Sequence, residues 1–231
     1  MPTRPAVRVL LTPDAERVPA RSAAVIVDVL RATSTLTFAL ANGAAEIVPA
    51  ATPEAALGLK RRDPAALLCG ERGGRIVPGF DLGNSPAEYA PGVVGGRRLI
   101  FASTNGSIAL LRAGAARRRI LGAFVNASAV LRAIADEPHV TIVCAGQLGR
   151  FGLEDAAFAG YLIQALAPRD ASADGPAARF AAALAPRDAA EVRTALESSS
   201  HGRYLRSLGG EFLRDVERCA EIDALDRAFE V

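Results

Sequence analysis

Five short apolar runs punctuate the chain: Ala23–Val27, Ala65–Cys69, Arg98–Ala102, Ile120–Val125 and Val140–Cys144. Most are continuously apolar instead of alternating, the pattern of a strand covered on both faces. Ala- and Leu-rich segments with helical spacing, such as Thr35–Ala41 and Ile108–Ala113, lie between them. Strands alternating with helices predict an α/β fold on a mostly parallel sheet. A faint internal echo suggests two related βαβ units. In one, Ala24–Ile26 leads through a helix ending at Asn42-Gly43 to a strand at Glu46–Val48. In the other, Leu99–Phe101 leads through a helix ending at Gly114 to Ile120–Val125. Both glycines stand where a helix C-terminus favours one.

Beyond Pro168 the texture changes. Asp170–Pro176 reads as a loop. Helical patterns follow at Ala177–Leu184, Ala189–Ser198 and Gly202–Ala220, the last with a break at Gly209-Gly210, and Arg227–Val231 could add an edge strand. With no long linker, residues 1–231 read as one domain with a helical C-terminal portion from about residue 168.

Half of the residues are apolar, enough for a substantial core. The 27 basic and 25 acidic residues nearly cancel, leaving no field for general nucleic-acid binding. All but one of the basic residues (Lys60) are arginine, so a single arginine is a weak signal. Cys69, Cys144 and Cys219 have no zinc or disulfide spacing and are expected as buried thiols. Neither a signal peptide nor a membrane span is evident, and the expected location is cytoplasmic. No oligomeric state can be read; a homodimer remains open.

In an open parallel sheet, ligands collect at the carboxyl ends of the strands. Each apolar run is followed there by polar or glycine-rich residues. Asp28, Arg31, Thr33 and Ser34 follow the first, and Gly70, Glu71 and Arg72 the second. Thr104, Asn105 and Gly106 follow the third, Asn126 and Ser128 the fourth, and Gly146 and Gln147 the fifth. Asp28 interrupts an apolar stretch and so needs a cation or donors. Asp28, Glu71, Asp81, Glu154 and Asp155 form a scattered carboxylate set of the kind Mg²⁺ accepts alongside waters and phosphate oxygens. Glu154 and Asp155 could equally stabilise a helix N-terminus. The Thr104–Ser107 turn could present N–H groups to a phosphate, and Arg31, Arg72 and Arg150 match its oxygens. Ser34 and Ser128 could instead cap helices. P-loop, dinucleotide-binding and nucleophile-elbow motifs are absent. His201 begins a helix, where capping is expected, within reach of the site.

The ordered set Asp28-Val29-Leu30-Arg31-Ala32-Thr33-Ser34-Thr35, Gly70-Glu71-Arg72-Gly73-Gly74, Gly79–Pro86, Ser103-Thr104-Asn105-Gly106-Ser107, Asn126-Ala127-Ser128, Cys144-Ala145-Gly146 and Gly149–Asp155, with Leu208-Gly209, Asp215 and Cys219, resembles the 2-phosphosulfolactate phosphatase family. The resemblance implies a three-layer α/β/α fold. It also implies Mg²⁺-dependent hydrolysis of (2R)-2-phospho-3-sulfolactate to 3-sulfolactate and phosphate, on the route to coenzyme M. The family's acidic positions would be Asp28, Glu71, Asp81, Glu154 and Asp155, with Asp28, Arg31 and Glu71 in the reaction. Thr33, Ser34, Arg72, Thr104, Asn105, Gly106, Asn126, Ser128 and Arg150 would then face a small anionic phosphate ester. A phosphatase for other 2-hydroxy-acid phosphates, or a non-catalytic anion-binding protein, would carry similar loops.

Overall fold

The computed structural model describes residues 6–14, 16–167 and 172–231. In chain order the elements are β1 (Ala6–Leu10), β2 (Ala23–Val27), α1 (Ala32–Ala41), β3 (Glu46–Pro49), α2 (Pro53–Arg62), β4 (Leu67–Arg72) and β5 (Arg75–Ile76). Then come α3 (Pro91–Val94), β6 (Arg98–Ala102), α4 (Gly106–Arg112), β7 (Arg118–Gly122), α5 (Ala127–Ile134) and β8 (His139–Cys144). The chain closes with α6 (Leu153–Leu166), β9 (Ser172–Asp174), α7 (Gly175–Ala183), α8 (Ala189–Ser198), α9 (Ser200–Ser207) and α10 (Gly210–Cys219).

The strands form two sheets. One, in the order β7-β2-β8-β1-β9, is parallel throughout. The other, β3-β6-β4-β5, is parallel except for the β4–β5 hairpin. Strand β2 explains the layering. Its side chains alternate: Val25 and Val27 pack with Ile142, Phe158 and Leu162, whereas Ala24 and Ile26 pack with Leu36, Leu99 and Phe101. Helices therefore cover both faces of the five-stranded sheet, giving the three-layer α/β/α arrangement. Helices α5 to α10 lie on one side; α1 and α4 lie on the other, against the second sheet. Helix α2 covers that sheet's far face through Ala56, beside Leu68 and Ile100.

The mostly parallel central sheet expected from the sequence is the five-stranded one, and a second, four-stranded sheet lies beside it. The runs at Ala65–Cys69 and Arg98–Ala102 lie in the second sheet, because a doubly buried strand carries no mark of which sheet holds it. The two echoing units pair crosswise. Unit β2-α1-β3 starts in the first sheet and ends in the second; β6-α4-β7 runs the opposite way, so that β2 pairs with β7 and β3 with β6. This exchange brings the carboxyl ends of β2 and β6 together.

Within Asp170–Pro176, residues 170 and 171 lie outside the described residues; the rest holds β9, paired with β1. The C-terminal expectations fare better. The helical pattern breaks at Gly209, whose φ of 123° suits glycine. The last residues run antiparallel along β7, with Leu121 N–H donating to the Phe229 carbonyl at 3.0 Å and Val231 N–H to that of Arg119 at 3.0 Å. All three cysteines are buried and free, and no helix among the described residues is long and apolar enough to cross a membrane.

Candidate active site

Asp28 follows β2 immediately and is buried. Its backbone N–H donates to Oγ1 of Thr33 at 3.0 Å, and its Oδ1 accepts from Ala32 N–H at 3.2 Å at the start of α1. The other oxygen, Oδ2, faces Gly106, where a Cβ would stand 2.6 Å away. Only glycine lets α4 start this close to the carboxylate. Gly106→Ala should therefore displace Asp28 and lower turnover by more than about tenfold, a sub-ångström shift being enough for such a loss. Steady-state rates above half the parent value would contradict this packing argument.

Helix α6 brings two further acids from the end of β8. Asp155 accepts from Val29 N–H through Oδ1 and from Gly146 N–H through Oδ2, both at 2.9 Å, and so ties the β2 and β8 ends together. Glu154 is buried beside it, with Oε1 3.6 Å from Nδ1 of His201 on α9 and with Oε2 lacking any partner among the described residues. From the second sheet comes Glu71, at the end of β4. Its Oε1 accepts from Thr104 N–H at 2.7 Å and its Oε2 from Gly74 N–H at 2.8 Å. A cleft of about 310 Å³ opens here, lined by Glu71, Gly73, Gly74, Thr104, Asn105, Gln147, Leu148, His201 and Tyr204. Tyr204 closes its rim by donating to the Gly73 carbonyl at 3.0 Å.

Several predicted residues stand elsewhere. Asp81 accepts from Leu68 N–H at 2.8 Å, with Nζ of Lys60 at 3.9 Å, beside the amino-terminal half of β4; the expectation that it joins the carboxylates is corrected. Arg31 turns away from the cleft to pair with buried Asp215 and to donate to the Gly74 carbonyl at 2.5 Å. Arg72 donates to the carbonyls of Glu71 at 2.6 Å and Ala102 at 3.1 Å, and Arg150 is exposed outside the lining. The Thr33 hydroxyl lies within hydrogen-bonding distance of the Asp28 and Gly122 carbonyls, and that of Ser34 donates to the Val29 carbonyl. Asn126 holds Ala123 N–H and the Leu121 carbonyl, while Ser128 binds Asp223. These groups build the walls. The N–H groups of Thr104 and Ser107 are likewise taken, by Glu71 and by Oγ of Ser103.

The residues brought together are Asp28, Glu71, Glu154, Asp155, Thr104, Asn105 and Gly106. Gln147, noted at the end of the fifth run, and His201, noted as within reach of the site, join them, as does Tyr204, which was not singled out. The Ser199-Ser200-His201 stretch does cap α9, since Oγ of Ser199 accepts from Gly202 N–H, but His201 also faces Glu154.

Burial pushes the Asp28 carboxyl up to about 6, with the charges of Glu71 and Glu154 adding to the rise and His201 and Ala32 N–H opposing it. Asp155 is held well above the usual carboxylate range by burial and by its neighbours Glu154 and Asp28, against its two N–H donors. Burial and the same two acids, Asp155 and Glu154, raise the Cys144 thiol far from a reactive thiolate. Such a cluster needs protons or a cation. No three His, Cys, Asp or Glu side chains among the described residues form a ready cage. The Oε2 of Glu154 and the Oδ2 of Asp28, which accept no hydrogen bond among the described residues, fit Mg²⁺, which takes one or two carboxylates and completes its shell with water and phosphate oxygens.

An α/β/α fold gathers carboxylates where strand ends from two sheets meet, and the fold alone does not say what they act on. The comparisons make the class phosphoric monoester hydrolase. The chain belongs to the 2-phosphosulpholactate phosphatase family, whose model matches residues 10–231. A probable 2-phosphosulfolactate phosphatase of Deinococcus radiodurans is 46% identical over 204 residues, covering 86% of this chain and 83% of that protein. One of the same name from Carboxydothermus hydrogenoformans is 43% identical, covering 88% and 84%. A third, from Symbiobacterium thermophilum, is 40% identical over 217 residues, covering 92% of each chain.

Proposed function

We propose that this protein is a Mg²⁺-dependent, cytoplasmic phosphatase that hydrolyses 2-phospho-3-sulfolactate to 3-sulfolactate and phosphate, the step that leads toward coenzyme M. The carrying observation is the charge of the cleft. Glu71 lines it, with Asp28, Glu154 and Asp155 clustered close enough to feel one another's charge, and no arginine or lysine among the described residues lines it. A multiply anionic ester cannot approach bare carboxylates. It can approach a cation that they hold.

When bound, Mg²⁺ would polarise the phosphoryl group and offset the charge that develops on its oxygens. Asp28 and Glu154 would hold it, each with an oxygen left open by the protein. Glu71 and Asp155, with both oxygens tied to backbone N–H groups, fix the positions of the surrounding loops. Thr104 contributes a buried hydroxyl without a partner among the described residues, able to donate to a phosphoryl oxygen. Asp28 supplies the reacting carboxylate, either attacking phosphorus or taking a proton from the attacking water. An acid quench during turnover separates the two, because only attack by Asp28 leaves a hydroxylamine-sensitive phosphoenzyme.

The test is phosphate release from 2-phospho-3-sulfolactate in Mg²⁺ and in EDTA. Release in Mg²⁺ that EDTA abolishes is the expected result. Equal rates in both would overturn the cation dependence, and no release in either would overturn the activity.

A further inference from the structure

The cleft has an inner acidic end and an outer mouth, and the mouth carries two amide side chains. Oδ1 of Asn105 accepts from Leu148 N–H at 2.9 Å. A main-chain N–H can only donate, so this contact fixes which end of the amide is oxygen. Across the opening, Oε1 of Gln147 accepts from Oγ of Ser200 at 2.5 Å, and the Gln147 backbone is held by Arg150 through bonds of 2.9 and 3.0 Å. Both carbonyl oxygens are therefore engaged by the rim. Neither NH₂ group has a partner among the described residues, and neither is sealed from solvent. The two amides are anchored donors on the lining of a cleft that carries no arginine or lysine among the described residues.

The substrate class set out under Proposed function, on which this inference rests, bears further acid groups two or three bonds from the phosphoester oxygen. With the phosphoryl group at the carboxylate end, those acid groups must lie at the mouth. We propose that the Asn105 and Gln147 amides form the subsite that reads the substrate's second acid group, recognising it by neutral N–H donors in place of an ion pair. An arginine in this position would be drawn onto Glu71 or Glu154 and neutralised. A neutral amide is not captured in this way, and its N–H bonds to an anionic oxygen are still charge-assisted.

The experiment compares Gln147→Glu and Gln147→Met with the parent on three esters: 2-phospho-3-sulfolactate, phosphoglycolate and ethyl phosphate. The last has no second acid group. Loss of an interaction made equally in ground and transition states raises KM and leaves kcat alone. On the two acid-bearing esters KM should rise roughly tenfold to a hundredfold, more for Glu than for Met, while kcat/KM of Gln147→Met on ethyl phosphate stays within about twofold of the parent. An equal loss on ethyl phosphate would show that the amides only support the loops, and unchanged KM on the acid-bearing esters would show that they read nothing. Either result overturns the subsite while the phosphatase reading stands. A parent enzyme that releases phosphate from none of the three would remove that reading, and the subsite with it.

Discussion

Asp28→Asn should lower turnover by more than about a hundredfold, the usual scale for losing a group that moves a proton or attacks. The substitution keeps the shape of the side chain and an acceptor for Ala32 N–H, so the fold should survive. It should also leave a thermodynamic trace. In metal-free protein the folded Asp28 carboxyl titrates near 6 against the usual 3.8 because it is buried among other acids. As pH rises through about 4 the unfolded chain loses this proton first, while the folded chain keeps it until about 6. The folded form binds more protons in that window, so its stability falls across it and stays lower above. Asn does not titrate. Metal-free Asp28→Asn should match the parent below about pH 4 and exceed it at pH 8 by on the order of 3 kcal/mol. Thermal melts at the two pH values in EDTA check this. A variant with more than a tenth of parental turnover, or one no more stable at pH 8, would remove Asp28 from its assigned place.

Asp215→Ala should produce the largest loss of stability. Arg31 and Asp215 are both almost wholly buried, so the pair gets little help from water. Asp215 also accepts from Oγ of Ser85 at 2.6 Å, while the Arg31 guanidinium lies 5.1 Å from the centre of the Phe212 ring. Removing the carboxylate leaves a buried cation with one carbonyl and a ring for company. Breaking such a pair from one side costs about 3–5 kcal/mol, or on the order of 10 °C in Tm for a chain of this length. Replacing both members by apolar residues (Arg31→Met with Asp215→Leu) should recover most of the loss, since the penalty comes from the abandoned charge. Denaturant unfolding of the two singles and the double closes the cycle. A single variant within about 1 kcal/mol of the parent would mean that the pair is hydrated and structurally idle.

The same pair marks where the sequence stops being informative. Strand bounds at Ala23–Val27 and Arg98–Ala102, and the helix at Ala189–Ser198, follow from local pattern and agree with the structure residue for residue. The convergence of Asp28, Glu71, Glu154 and Asp155 was legible because ligands gather beyond strand ends, and these acids follow three separate strands. What Arg31 and Arg72 do was not. Their partners are the carbonyls of Gly74 and Ala102 and the acid of Asp215, chosen by how the sheets dock instead of by neighbours in the chain. Asp81 failed for a related reason, its turn-rich surroundings giving no hint of which end of β4 it would meet. Strand β1 (Ala-Val-Arg-Val-Leu) was hidden by Arg8, and β9 (Ser-Ala-Asp) carries too little apolar character to register. His201 was legible as a helix start, and only the fold reveals that the same residue borders the acids.

The crosswise exchange of strands has a practical consequence. Asp28, Glu154 and Asp155 ride on one sheet and Glu71 on the other, so a molecule that grips acids from both acts as a clasp across the seam. Its binding energy adds directly to the work of pulling the halves apart, by RT ln(1 + [L]/Kd) for a ligand that ignores the unfolded chain. The melting curve of this protein thus doubles as a gauge of cleft occupancy, able to rank cations and candidate esters without any turnover being measured.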